Sequence, residues 1–143
     1  IKNAMPLLDE VFFVLYGDSF LPIDFSNVEK AFFNNNKSAL MTIIKNTGKW
    51  DKSNVLFSND RLIEYNKERP SASMDYIDYG LGILSKDLFT QYKDDRPFDL
   101  SEVYRHLSLS GGLHGHLVHE RFYEIGSRQG LRDIENYFVN KEK

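Results

Sequence analysis

The run Val11-Phe12-Phe13-Val14-Leu15 ends abruptly in Tyr16-Gly17-Asp18-Ser19. An unbroken apolar run rich in β-branched and aromatic side chains predicts a strand buried on both faces. Gly17 lets the backbone turn sharply, which leaves Asp18 at the carboxyl end of that strand. In an open α/β sheet this end borders the crevice where ligands sit. A carboxylate there can hold a hard cation such as magnesium, which takes oxygen ligands and shares them with substrate phosphates. Asp is also an ordinary turn residue, so the spacing alone leaves turn capping open beside metal binding.

A chain of 143 residues with a net charge of -3 is one domain at most, with enough residues for one core. The mild acidity argues against a broad nucleic-acid footprint. With no cysteine, disulfides and thiolate metal sites are excluded. No apolar run approaches the length of a membrane span, and no signal-peptide pattern is visible. The expectation is a cytoplasmic protein with neither membrane nor nucleic acid as partner. The chain opens on Ile1 rather than Met, and residues 1–8 look like the end of an amphipathic helix running into a strand. Missing upstream residues are therefore expected.

Further along, Ser26 and Glu29 have capping-box spacing before a helix over 27–34. Ala39 to Lys45 reads as a second buried strand, followed by a polar loop carrying Trp50. Val55–Phe57 and Leu62–Tyr65, separated by Ser58-Asn59-Asp60, predict a hairpin. Residues 66–75 form a polar loop with Lys67 and Arg69. Tyr76 to Leu84 is a strand by composition but holds Gly80 and Gly82. Glycine in a strand marks either a bulge or a close approach of a ligand or another backbone. A short helix follows Ser85. Pro97-Phe98-Asp99 then leads into a helix over 100–109, capped by Asp99 with Glu102 as its capping-box partner. Leu113 to Val118 is the last long strand, with His114 and His116 on one face. Arg121-Phe122-Tyr123-Glu124-Ile125-Gly126 precedes a final helix capped by Ser127 that ends near Val139, before a charged tail. Strands and helices interleave, which favours a mixed α/β sheet.

Asp18 and Glu124 are the carboxylates that stand out. Projecting into one crevice, they would share a divalent cation together with phosphate oxygens. Lys67 and Arg69 lie in a loop that could reach the same crevice and neutralise a phosphate. Solvation of that loop, and for Glu124 a place before a helix N-terminus, explain the same residues without a ligand.

Taken in order, Tyr-Gly-Asp-Ser, Tyr-Asn-Lys-Glu-Arg-Pro (65–70), Tyr-Ile-Asp-Tyr-Gly-Leu (76–81) and Phe-Tyr-Glu-Ile-Gly-Ser (122–127) resemble the C-terminal part of sugar-1-phosphate nucleotidyltransferases. The likeness is strongest to guanylyltransferases of mannose- or heptose-type 1-phosphates. It covers essentially the whole chain. It implies a Rossmann-like α/β fold of the nucleotide-diphospho-sugar transferase type, with a mixed, mostly parallel sheet flanked by helices and without its N-terminal half. It also implies Mg2+ as cofactor, held by Asp18 and Glu124, where Glu124 stands in place of the family's usual Asp. Lys67 matches the lysine that contacts the sugar phosphate. Asn66 occupies the position of the family's sugar-contacting Glu. Asp78 and Gly80 fall on the strand that lines the sugar pocket. The implied partners are a sugar 1-phosphate and a nucleoside triphosphate, with GTP favoured. The reaction is in-line attack of a sugar-phosphate oxygen on the α-phosphorus, with pyrophosphate leaving.

The Gly-rich loop and Pro-Lys that cradle the triphosphate in this family have no match here. The 143 residues alone are therefore expected not to turn over, and nucleotide-sugar formation by them would overturn that. A missing N-terminal portion, a partner chain or a homo-oligomer is expected to cover the open edge of the sheet. A noncatalytic sugar-phosphate-binding subunit is the alternative. Gly17-Asp18-Ser19-Phe20 also resembles a Gly-Asp-Ser-Leu esterase block with Ser19 as nucleophile. No His here has the Asp three residues before it that such a triad needs. His114-Gly115-His116 has chelating spacing for zinc, without an accompanying acid in a zinc-enzyme pattern.

Overall fold

Ala39-Leu-Met-Thr-Ile-Ile-Lys45 forms strand β3, buried at every position but Lys45. Alternation sends Ala39, Met41 and Ile43 to one face and Leu40 and Ile44 to the other. Each face carries its own apolar cluster. The computed structural model describes residues 1–48, 50, 52–91 and 98–141. Pro97 and the last two residues of the charged tail lie outside them.

The long strand β6 (Tyr76–Ser85) runs antiparallel to β3. On its other side lie β1 (Val11–Leu15), against residues 81–85, and β4 (Val55–Ser58), against Tyr76. β4 forms a hairpin with β5 (Arg61–Tyr65), whose turn residues Asn59 and Asp60 both have positive φ, at 51° and 55°. That is the geometry of a two-residue hairpin loop. β7 (Leu113–Val118) pairs with β3 in parallel. A separate ribbon joins β2 (Ser19–Phe20) to β8 (Tyr123–Glu124).

The mixed α/β sheet is as expected, but its strands are not mostly parallel. Among the described residues β3–β7 is the parallel pair, and the other pairings of the main sheet run antiparallel. The reason is that the 55–65 hairpin reverses the chain before β6 enters the middle of the sheet.

Helix α1 (Phe25–Phe33) covers one face through Val28 and Phe32. Its cap is Asp24, which accepts from the Ser26 N–H at 2.9 Å, so the helix starts earlier than Ser26 predicted. A carboxylate at that end also meets the positive pole of the helix. α2 (Leu100–Leu109) covers the other face through Val103, Tyr104 and Leu107, with Asp99 as its cap as read from the sequence. α3 (Arg128–Lys141) starts after Ser127, whose Oγ accepts from the Gly130 N–H.

Two further expectations change. Residues 2–7 form a 3-10 helix containing Pro6, with no buried residue, in place of an amphipathic helix end. β1 is half-buried rather than buried on both faces: Phe12 packs into the core, while Phe13 and Leu15 are 41% and 46% exposed. Among the described residues β1 pairs only with β6, so its second edge has no strand to cover it.

The register between β3 and β6 breaks at one place. Met41 faces Gly82 and Ile43 faces Asp78, so Thr42 alone stands opposite Tyr79, Gly80 and Leu81. Thr42 is fully buried and donates its hydroxyl to the Leu81 carbonyl at 2.6 Å. This bond satisfies an acceptor that the interrupted ladder would orphan. Thr42→Val keeps the shape and removes the donor. It is expected to cost about 1–3 kcal/mol, measured as a lower denaturant midpoint.

His114 and His116 share the face of β7 that carries Val118 and α1. Partial burial holds both imidazoles below their ordinary pKa, and for His114 the neighbouring His116 and Lys37 add to this. The unfolded chain then binds protons that the folded chain refuses. Stability is expected to fall as pH drops below about 6.5. Replacing both histidines by Gln should flatten that acid limb in a melting-temperature profile.

Candidate functional site

β1 does not simply end at Leu15. The Tyr16 N–H still bonds to the Gly80 carbonyl at 3.1 Å, and the Ser19 N–H closes a tight turn onto the Tyr16 carbonyl at 3.3 Å. Gly17 and Asp18 form that turn, after which Ser19 pairs opposite Glu124 in the β2–β8 ribbon. The Ile125 N–H bonds to the Asp18 carbonyl at 2.9 Å. The ribbon therefore clips together two segments from opposite ends of the sequence and sets Asp18 beside Glu124.

Both carboxylates line one cleft of about 520 Å3, together with Tyr16, Lys67, Asp78 and Gln129. Asp18 and Glu124 are exposed, and neither forms an ion pair among the described residues. They offer only hard oxygen donors at one mouth. That chemistry fits a magnesium ion completed by phosphate oxygens. No group of three or more His, Asp or Glu side chains arranged to hold a metal occurs among the described residues, so substrate oxygens would have to complete the shell.

The floor of the cleft is built by the interrupted strand. Asp78 accepts from the Tyr16 hydroxyl at 2.6 Å through Oδ2 and from the Gly80 N–H at 3.0 Å through Oδ1. Its own N–H donates to Asn54 Oδ1 at 3.0 Å. Gly80 has φ +96°, and a Cβ there would sit 3.1 Å from the Tyr16 ring. Both sequence readings of this glycine hold at once: it is a bulge and a point of close approach. Burial raises the Asp78 pKa, opposed by the Tyr16 and Gly80 donors and by the more distant Lys67 charge. Burial, reinforced by Asp78, also pushes the Tyr16 phenol up, so Tyr16 remains a donor. Tyr65 is likewise raised by burial, reinforced by the Asp78 charge.

Lys67 lines the cleft, as expected, whereas Arg69 does not. Asn66 is buried beside it, and its side chain is spent on the loop: Oδ1 accepts from the Arg69 N–H and Nδ2 donates to Glu64. Trp50 both lines the cleft and packs, stacking on Phe122 at 5.4 Å, and Phe122 meets Tyr79 edge-on at 5.7 Å. Sequence reasoning missed Tyr16, Asn54 and Arg121. Arg121 is held by Asp133 at 2.7 Å and lies over the Tyr123 ring. Tyr16 was legible as the residue before Gly17. Asn54 and Arg121 carry no local signal, because only the folded chain brings their partners near.

Ser19 lines the cleft, but none of the four histidines does. A triad on Ser19 thus has no base within the site. His114 and His116 are half-buried on β7, apart from Asp18 and Glu124, which gives the zinc reading no acidic ligand.

Tyr16→Phe removes the Asp78 donor and keeps the ring. It is expected to destabilise the chain by about 1–3 kcal/mol. Gly80→Ala should cost at least as much as Gly-to-Ala changes at strained positive φ usually do. Equilibrium unfolding measures both.

No family model matches the sequence, and no curated protein matches it at the sequence level. Solved structures do match its fold. A Bacillus anthracis protein described as a glucose-1-phosphate thymidylyltransferase, in complex with sucrose, superimposes with a TM-score of 0.78 at 14% identity over 94% of this chain and 57% of its own. The inositol-1-phosphate CTP transferase of T. maritima gives 0.73 at 20% identity, over 97% of this chain and 59% of its own. UDP-glucose pyrophosphorylase from Acinetobacter baumanii gives 0.72 at 14%, over 94% of this chain and 53% of its own. The chain thus spans less than two thirds of each solved protein. Its structural neighbours are sugar-1-phosphate nucleotidyltransferases, and it has the fold of the part of them that it covers.

Proposed function

We propose that this chain forms the sugar-phosphate side and the metal-ligand side of a sugar-1-phosphate nucleotidyltransferase. The observation that carries the reading is the β2–β8 ribbon, which joins Asp18 and Glu124 at the cleft that also holds Lys67 and Asp78. A bound magnesium ion would neutralise charge building on the phosphates. Lys67 meets the phosphate of the sugar phosphate as a point charge. Asp78 and the Gly80 backbone face the sugar. Asn66 serves the sugar site indirectly, by shaping the loop that carries Lys67. A sugar-phosphate oxygen attacks the α-phosphorus of the nucleoside triphosphate, and the bond to pyrophosphate breaks as the new P–O bond forms. The protein's contribution is position and charge, with no covalent intermediate. GTP as the triphosphate and a cytoplasmic location belong to the same reading, on the likeness of the sequence to guanylyltransferases. No helix among the described residues is long and apolar enough to cross a membrane.

Calorimetric titration of the chain with mannose 1-phosphate and glucose 1-phosphate, with and without Mg2+, tests the proposal. Binding is expected to strengthen with Mg2+, and Asp18→Asn should remove that enhancement. Lys67→Ala should weaken binding by about 10–100-fold, the worth of a hydrogen bond to a charged group. Absence of binding by every sugar 1-phosphate in a panel would sink the reading.

A further inference from the structure

Asp78 is a carboxylate without a cation. It sits on the floor of the cleft, and both of its oxygens are held by neutral donors, the Tyr16 hydroxyl and the Gly80 N–H. It forms no ion pair among the described residues. Arg121 is tied to Asp133 at 2.7 Å. Lys67 lines the same cleft and its charge acts on Asp78 without forming an ion pair; in the proposed function that ammonium is taken by the phosphate. Asp78 is partly buried, and a carboxylate drawn out of water gains from a positive group brought to it.

The surroundings of Asp78 suit such a group. Tyr16 and Tyr65 line the cleft beside it, and Trp50, Phe122 and Tyr79 continue the aromatic lining. Aromatic faces attract ammonium ions, most strongly where water is excluded. Tyr79 is 1% exposed and reaches the cleft from the face of β6 opposite Asp78; its hydroxyl has no hydrogen-bond partner among the described residues.

We propose that the cleft selects a phosphomonoester that also carries a protonated amine, with Asp78 taking the ammonium group and Tyr16 and Tyr65 flanking it. This rests on the reading of the cleft as a sugar-phosphate site and narrows it to amine-bearing substrates. Asp78 would be a binding residue and Tyr16 a positioning residue, which fixes Oδ2 while leaving the remaining lone pairs to the ligand.

The test is calorimetric titration of the chain, with Mg2+, against glucosamine 1-phosphate, N-acetylglucosamine 1-phosphate, glucose 1-phosphate and phosphocholine. Glucosamine 1-phosphate is expected to bind about tenfold tighter than glucose 1-phosphate, as a charge-assisted hydrogen bond predicts. Acetylation, which removes the charge, should abolish the gain. Asp78→Asn should erase the ratio between the charged and neutral sugars. Equal or tighter binding of glucose 1-phosphate would overturn the amine proposal and leave the sugar-phosphate reading standing. Tight binding of phosphocholine alone, whose quaternary ammonium has no N–H to donate, would overturn both the protonated-amine proposal and the sugar. No binding by any of the four would overturn both. The wild-type ratio decides the matter even where the Asp78 variant folds poorly.

Discussion

The site depends on a mismatch in the sheet. One residue of β3, Thr42, faces three of β6, and its hydroxyl holds the Leu81 carbonyl that the mismatch strands. An interrupted ladder of this kind bends a strand and re-aims its side chains. Here it leaves Asp78 on the cleft floor and brings the Gly80 backbone under the Tyr16 ring. Tyr16 in turn ends β1 and starts the turn that presents Asp18. A single buried hydroxyl therefore supports a chain of contacts running from the centre of the sheet to the mouth of the cleft.

The electrostatics follow the same order. Asp18 and Glu124 are exposed, so solvent screens their charge. At the floor, burial makes charge costly, and phenols and a backbone amide moderate it. Three tyrosines, 16, 65 and 104, have their phenols pushed upward by burial around this point. They act there as neutral donors and ring surfaces.

Much of this was legible in the sequence because the signals were local. Asp99 as a helix cap, the Asn59-Asp60 turn, the β3 run and Ser127 before α3 all involve residues a few positions apart. Asp18 and Glu124 stood out in the sequence as carboxylates, but nothing in the spacing of two distant acids places them along one cleft. Three of the corrected readings show the physical reason most plainly. Asp24 outcompeted Ser26 for the cap because it stands at the true extended-to-helical transition. β1 read as doubly buried because apolar runs look alike whether or not a neighbour covers their second face. The mixed sheet holds, but it is mostly antiparallel rather than mostly parallel, because hairpin reversal, a short-range event, sets the direction of the strand that follows. Asn66 shows a further limit: its identity was readable, but not that its amide would also brace the chain between Glu64 and Arg69.

The β2–β8 ribbon is only two residues long on each side, yet it joins the start of the chain to its last quarter. Closing so large a loop carries an entropic cost before any contact rewards it. The main sheet can form without the ribbon, whereas the carboxylate pair cannot. The ribbon is thus a late-forming and early-opening unit on a more durable scaffold. The chain can be folded by most measures while its two acids are still apart, so hydrogen exchange at the Ile125 amide would report on assembly of the site more directly than any global signal of folding.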